Sequence, residues 1–295
     1  MASRNDVVKV SFIINSSKRR AGEIVQEIQR VFKDEDYEIV PTNHSGHAIE
    51  LARQASAKCR TVVAVGGDGT ANECVNGLMH SEFRQMAILP LGTGNDFVRT
   101  FPQAESVQHL LSALQQNSYQ AIDVLRLSSG EGQEYALNIA DAGIGAVAVG
   151  HLAHAPSWLG PRLKYTWAIV KTLITARNEH LICRMAHETW EGKAKLIAAA
   201  NGKCFGTGLF IAPGALVHDG LLDITVIGDI SLFTYLRKSS SLRRGDRIDH
   251  PEVCYFRTPR VELEGPVRME KDGELSFALP VCIEVDPGAI MMLEV

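Results

Sequence analysis

The first 125 residues alternate short apolar runs with segments of helical character. The apolar runs have the length and β-branched composition of buried strands, and they are Val7–Ile14, Tyr37–Val40, Thr61–Val65 and Met86–Leu89. Two intervening segments, Ala21–Phe32 and His47–Ala57, are predicted to be helices. Because buried strands separated by helices form a mostly parallel sheet covered on both faces, this part of the chain is predicted to be a Rossmann-like α/β domain.

From about residue 125 onwards, short β-rich runs alternate with Gly, Pro and Asp-Gly turns. These runs are Tyr135–Ile139, Lys195–Ala199, Leu222–Ile227, Val253–Arg257, Arg260–Leu263 and Val281–Val285. Two helices are predicted to interrupt them, one over Pro161–Arg177 and one near Ser231–Ser239. The pattern is typical of an antiparallel β-sandwich. We therefore predict an α/β domain at residues 1–124 and a β-sandwich domain at residues 125–295, whose last residues could return to the first domain. The cleft between two such domains is the expected active site.

The composition excludes several classes of protein. The 295 residues include 30 Lys and Arg against 34 Asp and Glu, and this near-balance argues against a dedicated nucleic-acid binder. No stretch approaches the roughly 20 apolar residues that span a bilayer, and the N-terminal residues lack the layout of a signal peptide. Six scattered cysteines without a CxxC pair indicate reduced thiols. These features predict a cytoplasmic protein.

A glycine-rich loop, Gly66–Asn72, directly follows the predicted strand Thr61–Val65. In parallel α/β sheets, ligands bind beyond the carboxyl ends of the strands. Glycines at such a place let backbone N–H groups turn toward a phosphate, and the following helix adds a favourable potential. Asp68 could bind Mg²⁺ there, and Thr70 could donate a hydrogen bond to a phosphate oxygen. Taken alone, a plain tight turn explains the loop about as well, because Asp-Gly is a common turn pair.

A second loop of the same kind strengthens the phosphate interpretation. Gly92, Thr93 and Gly94 follow the next apolar strand, and Asn95 and Asp96 could cap the helix that comes after them. Two such loops from neighbouring parallel strands are expected to face one another across a single crevice. The Walker A pattern and the spaced GxGxxG pattern are both absent, so a phosphate site here is of a different type.

Together the two loops, GGDGTANECVNGL at Gly66–Leu78 and PLGTGNDF at Pro90–Phe97, resemble the diacylglycerol-kinase catalytic superfamily. The similarity is greatest to its soluble bacterial lipid kinases, which are relatives of sphingosine and ceramide kinases. Further matches, each weak by itself, are Thr42 with Gly46–Ala48, Asp123, Asn201-Gly202, Ala212–Asp223 and Lys271–Glu274. The resemblance covers most of the chain and implies the two-domain fold shared by NAD kinase and diacylglycerol kinase.

The resemblance implies phosphoryl transfer from ATP to a lipid hydroxyl. The residues implied to bind the nucleotide are Asn15, Thr42, Gly66, Gly67, Asp68, Gly69, Thr70, Ala71, Asn72, Gly92, Thr93 and Gly94. A carboxylate and water network around the catalytic Mg²⁺ is implied for Asp68, Asp96 and Asp123. A structural Mg²⁺ is implied at Asp219 and at the main-chain carbonyls of Leu216 and Leu221. Asp272 or Glu274 is implied to accept the proton of the lipid hydroxyl.

Several of these residues have a second interpretation. Asp272-Gly273 lies between alternating β segments and is therefore also a credible hairpin turn, although such a turn can still present a base. His218–Gly220 could equally be a surface turn. The loop after the first strand keeps Asn15 but lacks the proline and the close glycine that are usual in the family. The side chains of Ser16, Ser17 and Lys18 are candidates to replace the missing backbone contacts.

Aromatic and aliphatic residues cluster in and before the first helix of the second domain, and basic residues cluster near its second helix. They are Trp158, Leu159, Leu163, Tyr165, Trp167, Ile169, Arg237, Lys238, Arg243, Arg244 and Arg247. Such residues could dock onto an anionic bilayer surface. Core packing and a solvated helix face are the more frequent reasons for such residues.

We therefore interpret the sequence as that of a cytoplasmic, transiently membrane-associated lipid kinase that depends on ATP and Mg²⁺, with a diacylglycerol-like acceptor. The alternative enzyme is an NAD-kinase-like phosphotransferase, because that class shares the GGDGT loop. The alternative without catalysis is a silent regulator that binds a nucleotide or a lipid. The acceptor and the oligomeric state remain open, and a homodimer is one candidate for the latter.

Overall fold

The computed structural model describes residues 9–58, 60–92, 94–156 and 158–295. Thr93, Cys59 and the first residues of the predicted strand Val7–Ile14 lie outside the described residues. The chain divides into two units, of which the second is Asp123–Pro287. The first unit runs up to Ile122 and also contains the C-terminal residues Gly288–Val295. The sequence-based domain limits at residues 124 and 125 stay a prediction.

The first unit contains the alternation of strands and helices that the sequence predicts. Its elements are β1 (Lys9–Asn15), α1 (Ala21–Val31), β2 (Asp36–Thr42), α2 (His47–Ala57), β3 (Thr61–Gly66), α3 (Asp68–Leu78), β4 (Gln85–Pro90), α4 (Phe97–Thr100) and α5 (Val107–Gln116). The strands pair in parallel in the order β2-β1-β3-β4. Parallel neighbours need crossover connections, and α1, α2 and α3 provide them. The predicted parallel α/β sheet is confirmed.

The second unit is built mainly of antiparallel strands. Its first element, β5, begins in the first unit, and its last element, β16, ends there. The elements are β5 (Tyr119–Ser129), β6 (Gly132–Ala136), β7 (Ile139–Gly143), α6 (Ile144–Ala153), α7 (Pro161–Thr175), β8 (Glu179–Met185), β9 (Thr189–Ala194), β10 (Leu196–Ala200), β11 (Leu222–Ile227), α8 (Leu232–Arg244), β12 (Val253–Thr258), β13 (Arg260–Glu264), β14 (Arg268–Lys271), β15 (Glu274–Ala278) and β16 (Val281–Leu293). One sheet has the order β12-β11-β10-β7-β14-β15, and all its pairs are antiparallel. In the other, β16, β13, β8 and β9 are consecutive neighbours and β5 pairs with β16 and β6. The predicted β-sandwich is confirmed.

Alternate residues of the sandwich strands point to one shared apolar core. Leu125, Ile197, Ile224, Val261 and Ile283 come from both sheets and are buried together. The opposite face of the six-stranded sheet forms a second apolar cluster, to which α7 and α8 contribute partly buried side chains. The second unit therefore has a sheet that is covered on both faces.

The C-terminal strand returns to the first unit and is fastened there by a buried amide. Met291 and Met292 of β16 pair in parallel with the start of β4. The Gln103 side chain is buried, where its Oε1 accepts the N–H of Ile88 at 2.8 Å and its Nε2 donates to the carbonyl of Leu293 at 3.0 Å. These bonds attach the last strand to the edge of the parallel sheet.

The prediction of one continuous strand over Tyr135–Ile139 is wrong, because the chain leaves the sheet between β6 and β7. At this break the backbone N–H groups of Leu137, Asn138 and Ile139 all donate to the carboxylate of Asp272. Backbone donors that bind a side chain cannot serve a neighbouring strand at the same time. A distant acidic residue therefore causes an interruption that apolar periodicity could not indicate.

Both predicted helices of the second unit exist, with different ends. The first ends at Thr175, two residues before the prediction. The second continues to Arg244, well beyond the predicted end at Ser239. The Ser231 hydroxyl accepts the N–H of Thr234 at 3.1 Å at its start, and Gly245 with φ 82° ends it. Among the helices of the described residues, none has the length and apolarity needed to cross a bilayer.

A glycine allows helices α2 and α3 to approach each other closely. A Cβ atom at Gly77 would overlap the carbonyl oxygen of Ile49 and would lie 2.9 Å from the Cβ of Ala52. Any side chain at this position therefore has to push the two helices apart at a buried point of α3.

We expect Gly77→Ala to lower the free energy of unfolding by about 1–3 kcal/mol, because it overpacks the contact between α2 and α3. The matched control is Gly22→Ala in α1, where a new Cβ would meet no atom within 4 Å. This control should be neutral or more stable by up to about 1 kcal/mol, since alanine favours a helix over glycine. Urea unfolding followed by circular dichroism measures both variants, and equal stability of the two would contradict the close packing.

Candidate active site

The two glycine loops of the first unit contact each other through their backbones. The carbonyl of Gly66 accepts the N–H of Leu91 at 2.6 Å and that of Gly92 at 3.1 Å. A Cβ at Gly92 would lie 2.6 Å from the Cα of Gly67, and a Cβ at Gly67 would lie 3.2 Å from the Cα of Gly92. The two loops therefore lie side by side at the carboxyl edge of the sheet. Their close approach requires glycine, at Gly92 above all.

The loop after β1 joins the same edge. The Asn15 side chain donates from Nδ2 to the Thr70 hydroxyl at 3.3 Å. That hydroxyl belongs to the first turn of α3, and it lies so close to Gly66 that a Cβ there would overlap it. The structure therefore brings Asn15, Gly66 and Thr70 together at the start of α3, where the helix dipole favours an anion.

Side chains hold the altered loop after β1 in place of the missing proline and glycine. Asn15 Oδ1 accepts both the N–H of Ser17 at 3.1 Å and its hydroxyl at 2.6 Å. The Ser16 hydroxyl donates to the carbonyl of Thr42 at 2.7 Å. Two of the three side chains proposed as replacements for the phosphate contacts are thus engaged within the protein. Lys18 is the third of these candidates.

Two carboxylates flank Gly94 in the second loop. A Cβ at Gly94 would lie 3.1 Å from Asp68 Oδ2 and 3.5 Å from Asp96 Oδ2. Asp68 Oδ1 accepts the N–H of Phe97 at 3.2 Å, which links α3 to the start of α4. Burial raises the pKa of Asp68, and the neighbouring charge of Asp96 raises this pKa further. Asp96 also forms an ion pair with Arg99, whose Nε lies 3.6 Å from Asp96 Oδ1.

This pair of carboxylates fits a divalent cation. Mg²⁺ is usually held by one or two protein carboxylates together with water and substrate phosphates. A cation placed against Asp68 and Asp96 would relieve the repulsion that raises the pKa of Asp68. Asp123, the third residue predicted for the magnesium network, belongs to the second unit.

The remaining described residues that were predicted to bind the nucleotide are buried or half-buried. Ala71 and Asn72 are buried, and Asn72 Oδ1 accepts a hydrogen bond from Asn76 at 3.2 Å. Thr42 is also buried, with its carbonyl bound to the loop after β1. Gly69 lies half-buried in the first turn of α3. Their roles toward a nucleotide stay predictions.

In the second unit, Asp272 begins a two-residue hairpin turn between β14 and β15. Asp272 and Gly273 have φ values of 48° and 91°, as a type I′ turn requires, so the predicted turn is confirmed. The Asp272 side chain is half-buried, and its carboxylate accepts the N–H of Leu137 at 2.7 Å and that of Ile139 at 3.0 Å. Burial raises the pKa of Asp272 to about 7. Glu274, the other candidate base, is exposed at the start of β15.

Two buried carboxyl groups lie beside this hairpin, and neither was predicted from the sequence as a site residue. Asp141 of β7 and Glu270 of β14 are directly opposite each other in the sheet. Burial raises the pKa of Asp141 to about 6, and burial together with Asp141 raises the pKa of Glu270 well above its ordinary value. Glu270 also accepts the N–H of Gly273 in the hairpin turn. The signal available in the sequence was an acidic residue within the apolar run Ile139–Gly143.

Asp219 lies in the turn before β11, and Asp123 of β5 contacts that turn. Asp123 Oδ2 accepts the N–H of Gly220 at 2.7 Å, so this carboxylate supports the turn. Asp219 Oδ1 accepts the N–H of Leu221 at 3.1 Å, and Asp219 Oδ2 is paired with the guanidinium of Arg257. No cluster of three or more metal-ligating side chains exists among the described residues. Because a guanidinium contacts its carboxylate, the surroundings of Asp219 do not fit a divalent cation.

Two families match the chain, one in each half. Residues 9–127 match the family described as "Diacylglycerol kinase catalytic domain". Residues 138–294 match the family described as "YegS C-terminal NAD kinase beta sandwich-like domain". The first match contains both glycine loops, and the second contains the hairpin with Asp272.

Curated relatives and a solved structure extend over most of the chain. A "Probable lipid kinase YegS-like" of Stenotrophomonas maltophilia strain K279a is 28% identical over 277 residues, which are 90% of this chain and 85% of the relative. A protein of the same description from Xanthomonas euvesicatoria pv. vesicatoria strain 85-10 is 27% identical over 242 residues, 79% of this chain and 78% of the relative. The crystal structure of a diacylglycerol kinase from Bacillus anthracis str. Sterne has a TM-score of 0.72 at 21% identity, covers 97% of both chains, and supports the fold alone.

The buried carboxyl pair predicts a stability that falls with rising pH. Unfolded Asp has a pKa near 3.9, whereas burial raises the pKa of Asp141 to about 6, so the folded state binds more protons between these values. Stability is therefore highest below about pH 4 with respect to this group and declines as the pH rises through about 6. We expect Asp141→Asn to be more stable than the wild type at pH 8 by about 1–3 kcal/mol.

Thermal unfolding at a series of pH values measures this difference. The control is Asp249→Asn, which changes an exposed carboxylate of the same unit and should leave the pH dependence as it is. An Asp141→Asn protein that loses stability with pH as steeply as the wild type would contradict the prediction.

Proposed function

Because the chain belongs to the family of YegS-like lipid kinases, with a diacylglycerol kinase catalytic domain and a YegS C-terminal domain, we propose that it transfers the γ-phosphate of ATP to the hydroxyl of a diacylglycerol-like lipid. The observation that carries this proposal is the contact between the two glycine loops, with Asp68 and Asp96 beside it. Phosphoryl transfer depends mainly on positioning and charge stabilisation, and such a site offers both.

The first unit supports binding of the nucleotide. The loops Gly66–Asn72 and Gly92–Gly94 would bind the phosphates, together with the side chains of Asn15 and Thr70. The described residues among them lie at the start of α3 or in contact with it, where N–H groups and the helix dipole attract anions. Asp68 and Asp96 would hold Mg²⁺, which when bound neutralises charge on the phosphate that is transferred.

The second unit supports the removal of the acceptor proton. Asp272 has backbone donors that fix its orientation, and its pKa of about 7 suits a base at neutral pH. Glu274 is exposed one residue beyond the turn and can be reached from solvent. We propose that one of these two carboxylates accepts the proton of the lipid hydroxyl.

The helices of the second unit support an acceptor taken from a membrane surface. Large apolar side chains stand in solvent on α7, α8 and the segment before α7, with Trp158 81% and Phe233 73% exposed. Helix α6 is almost wholly apolar and yet has no buried residue. Basic residues on α7 and α8 include Lys164, Lys171, Arg237, Lys238, Arg243 and Arg244. Apolar and cationic side chains on one set of helices suit the surface of an anionic bilayer.

The direct test is a kinase assay with radiolabelled ATP and diacylglycerol in vesicles of phosphatidylglycerol and phosphatidylcholine. We expect labelled lipid from the wild type and at least about 100-fold less from Asp68→Asn, because the phosphate charge loses its stabilisation. Asp34→Asn, an exposed aspartate of the same unit, is the control and should retain activity. Circular dichroism establishes that both variants are folded.

Other outcomes of this assay decide against the proposal. Labelled dinucleotide from added NAD without labelled lipid would indicate an NAD-kinase-like phosphotransferase. Stoichiometric ATP binding without turnover on any lipid of a panel would indicate a silent regulator. Near-normal turnover by a folded Asp68→Asn protein would remove Asp68 from the magnesium network.

The base is identified by comparing Asp272→Asn with Glu274→Gln. Removal of the base should lower kcat by about 100-fold or more and change the KM for ATP little, because a general base acts only in the transition state. If Asp272 is the base, activity of the wild type falls as the pH drops below about 7, since the carboxyl group must be ionised to accept a proton. Full activity of both variants across the pH range would exclude both residues.

A further inference from the structure

The turn before β11 contains the position at which the family resemblance implied a structural Mg²⁺. Its implied ligands were the carboxylate of Asp219 and the carbonyls of Leu216 and Leu221. In the structure, one oxygen of that carboxylate accepts the N–H of Leu221 at 3.1 Å. The other oxygen is paired with Nη2 of Arg257. A cation already contacts the carboxylate, and it is a side chain of the protein.

Arg257 reaches Asp219 from a neighbouring strand in a fixed geometry. It lies on β12 directly opposite Asp223 of β11, and its Nε is 3.3 Å from Asp223 Oδ2. One guanidinium therefore binds the carboxylate of the turn and the carboxylate of the strand that follows it. The planar, permanently charged fork of arginine suits such a bridge, whereas the single ammonium of lysine does not.

A second arginine completes the charge balance. A Cβ at Gly214 would lie 3.7 Å from Asp223 Oδ1 and 3.8 Å from Nη2 of Arg247. Asp223 and the guanidinium of Arg247 therefore both lie next to Gly214, so that Arg247 is close to the carboxylate of Asp223. Burial raises the pKa of Asp223, and the positive charges of Arg257 and, to a lesser extent, Arg247 act against this rise. Two carboxylates and two guanidiniums thus sum to zero charge. A divalent ion would have to displace Arg257 from Asp219 and remain beside a positive charge.

We propose that the guanidinium of Arg257 takes the place of a structural divalent cation at Asp219, so that this turn is held by an internal ion pair. The turn matters because Gly220, next to Asp219, donates its N–H to Asp123 at 2.7 Å. Arg257 is therefore a positioning residue for the turn that donates this hydrogen bond to Asp123. This inference concerns stability and metal binding, and it does not depend on the proposed kinase activity.

The test measures the shift in melting temperature that Mg²⁺ causes in the nucleotide-free, full-length protein. We expect the same shift for the wild type and for Asp219→Asn, because Asp219 binds no Mg²⁺ in the wild type. Any shift that both proteins share belongs to another site. A shift that is present in the wild type and lost in Asp219→Asn would overturn the proposal.

Removal of the arginine should create the metal site that the wild type lacks. We expect Arg257→Ala to melt about 2–5 °C lower in EDTA and to recover part of this loss in Mg²⁺, because two carboxylates are then free to bind the ion. The added Mg²⁺ effect should vanish in the double variant Arg257→Ala/Asp219→Asn. Arg184→Ala, which breaks the ion pair of an exposed arginine with Glu264, is the control and should gain no Mg²⁺ effect.

Two results would contradict the exchange of arginine for metal. One is an Arg257→Ala protein that melts like the wild type in EDTA, and the other is a destabilised variant that Mg²⁺ does not rescue. If Arg257→Ala does not fold, the number of Mn²⁺ ions bound by the wild type and by Asp219→Asn is measured instead, by electron paramagnetic resonance. Equal numbers of bound Mn²⁺ ions in the wild type and Asp219→Asn support the proposal, and one fewer in Asp219→Asn overturns it.

Discussion

The backbone contact between Gly67 and Gly92 is the constraint on which the arrangement of the first unit's site depends. Two parallel strands end side by side, and the loops that follow them can approach only because neither position carries a Cβ. This approach places the start of α3 beside the start of α4, so that Asp68 accepts the N–H of Phe97. The same approach sets Asp68 next to Asp96. The absence of side chains at Gly67 and Gly92 therefore allows the carboxylates of Asp68 and Asp96 to lie close together.

Much of the first unit could be predicted from the sequence, because its signals are local. Helix α2 was predicted at its observed bounds, β3 is one residue longer than predicted at its C-terminal end, and β4 is one residue longer at each end. Apolar runs and helical spacing depend only on neighbouring residues, and parallel pairing follows from the alternation of the two. The glycine loops were visible for the same reason, since each follows its strand without interruption.

Features of the second unit that depend on distant partners could not be predicted. The interruption between β6 and β7 is caused by Asp272, 135 residues further along the chain from Leu137. The partner of Asp141 is Glu270, and the partner of Asp219 is Arg257. A single sequence contains no sign of which acidic residue meets which donor across a sandwich. The sequence Asp272–Glu274 was therefore recognised, while the backbone N–H groups that bind Asp272 were missed.

The carboxylates of Asp68 and Asp219 differ in the charge of their neighbours, and this difference bears on where a cation can bind. The carboxylate of Asp219 is paired with the guanidinium of Arg257, which also contacts Asp223. In the first unit Asp68 faces another carboxylate, and both burial and that neighbour raise its pKa. A divalent ion gains most where charge is least compensated by the protein itself. The electrostatics therefore favour Mg²⁺ beside the glycine loops over the turn at Asp219.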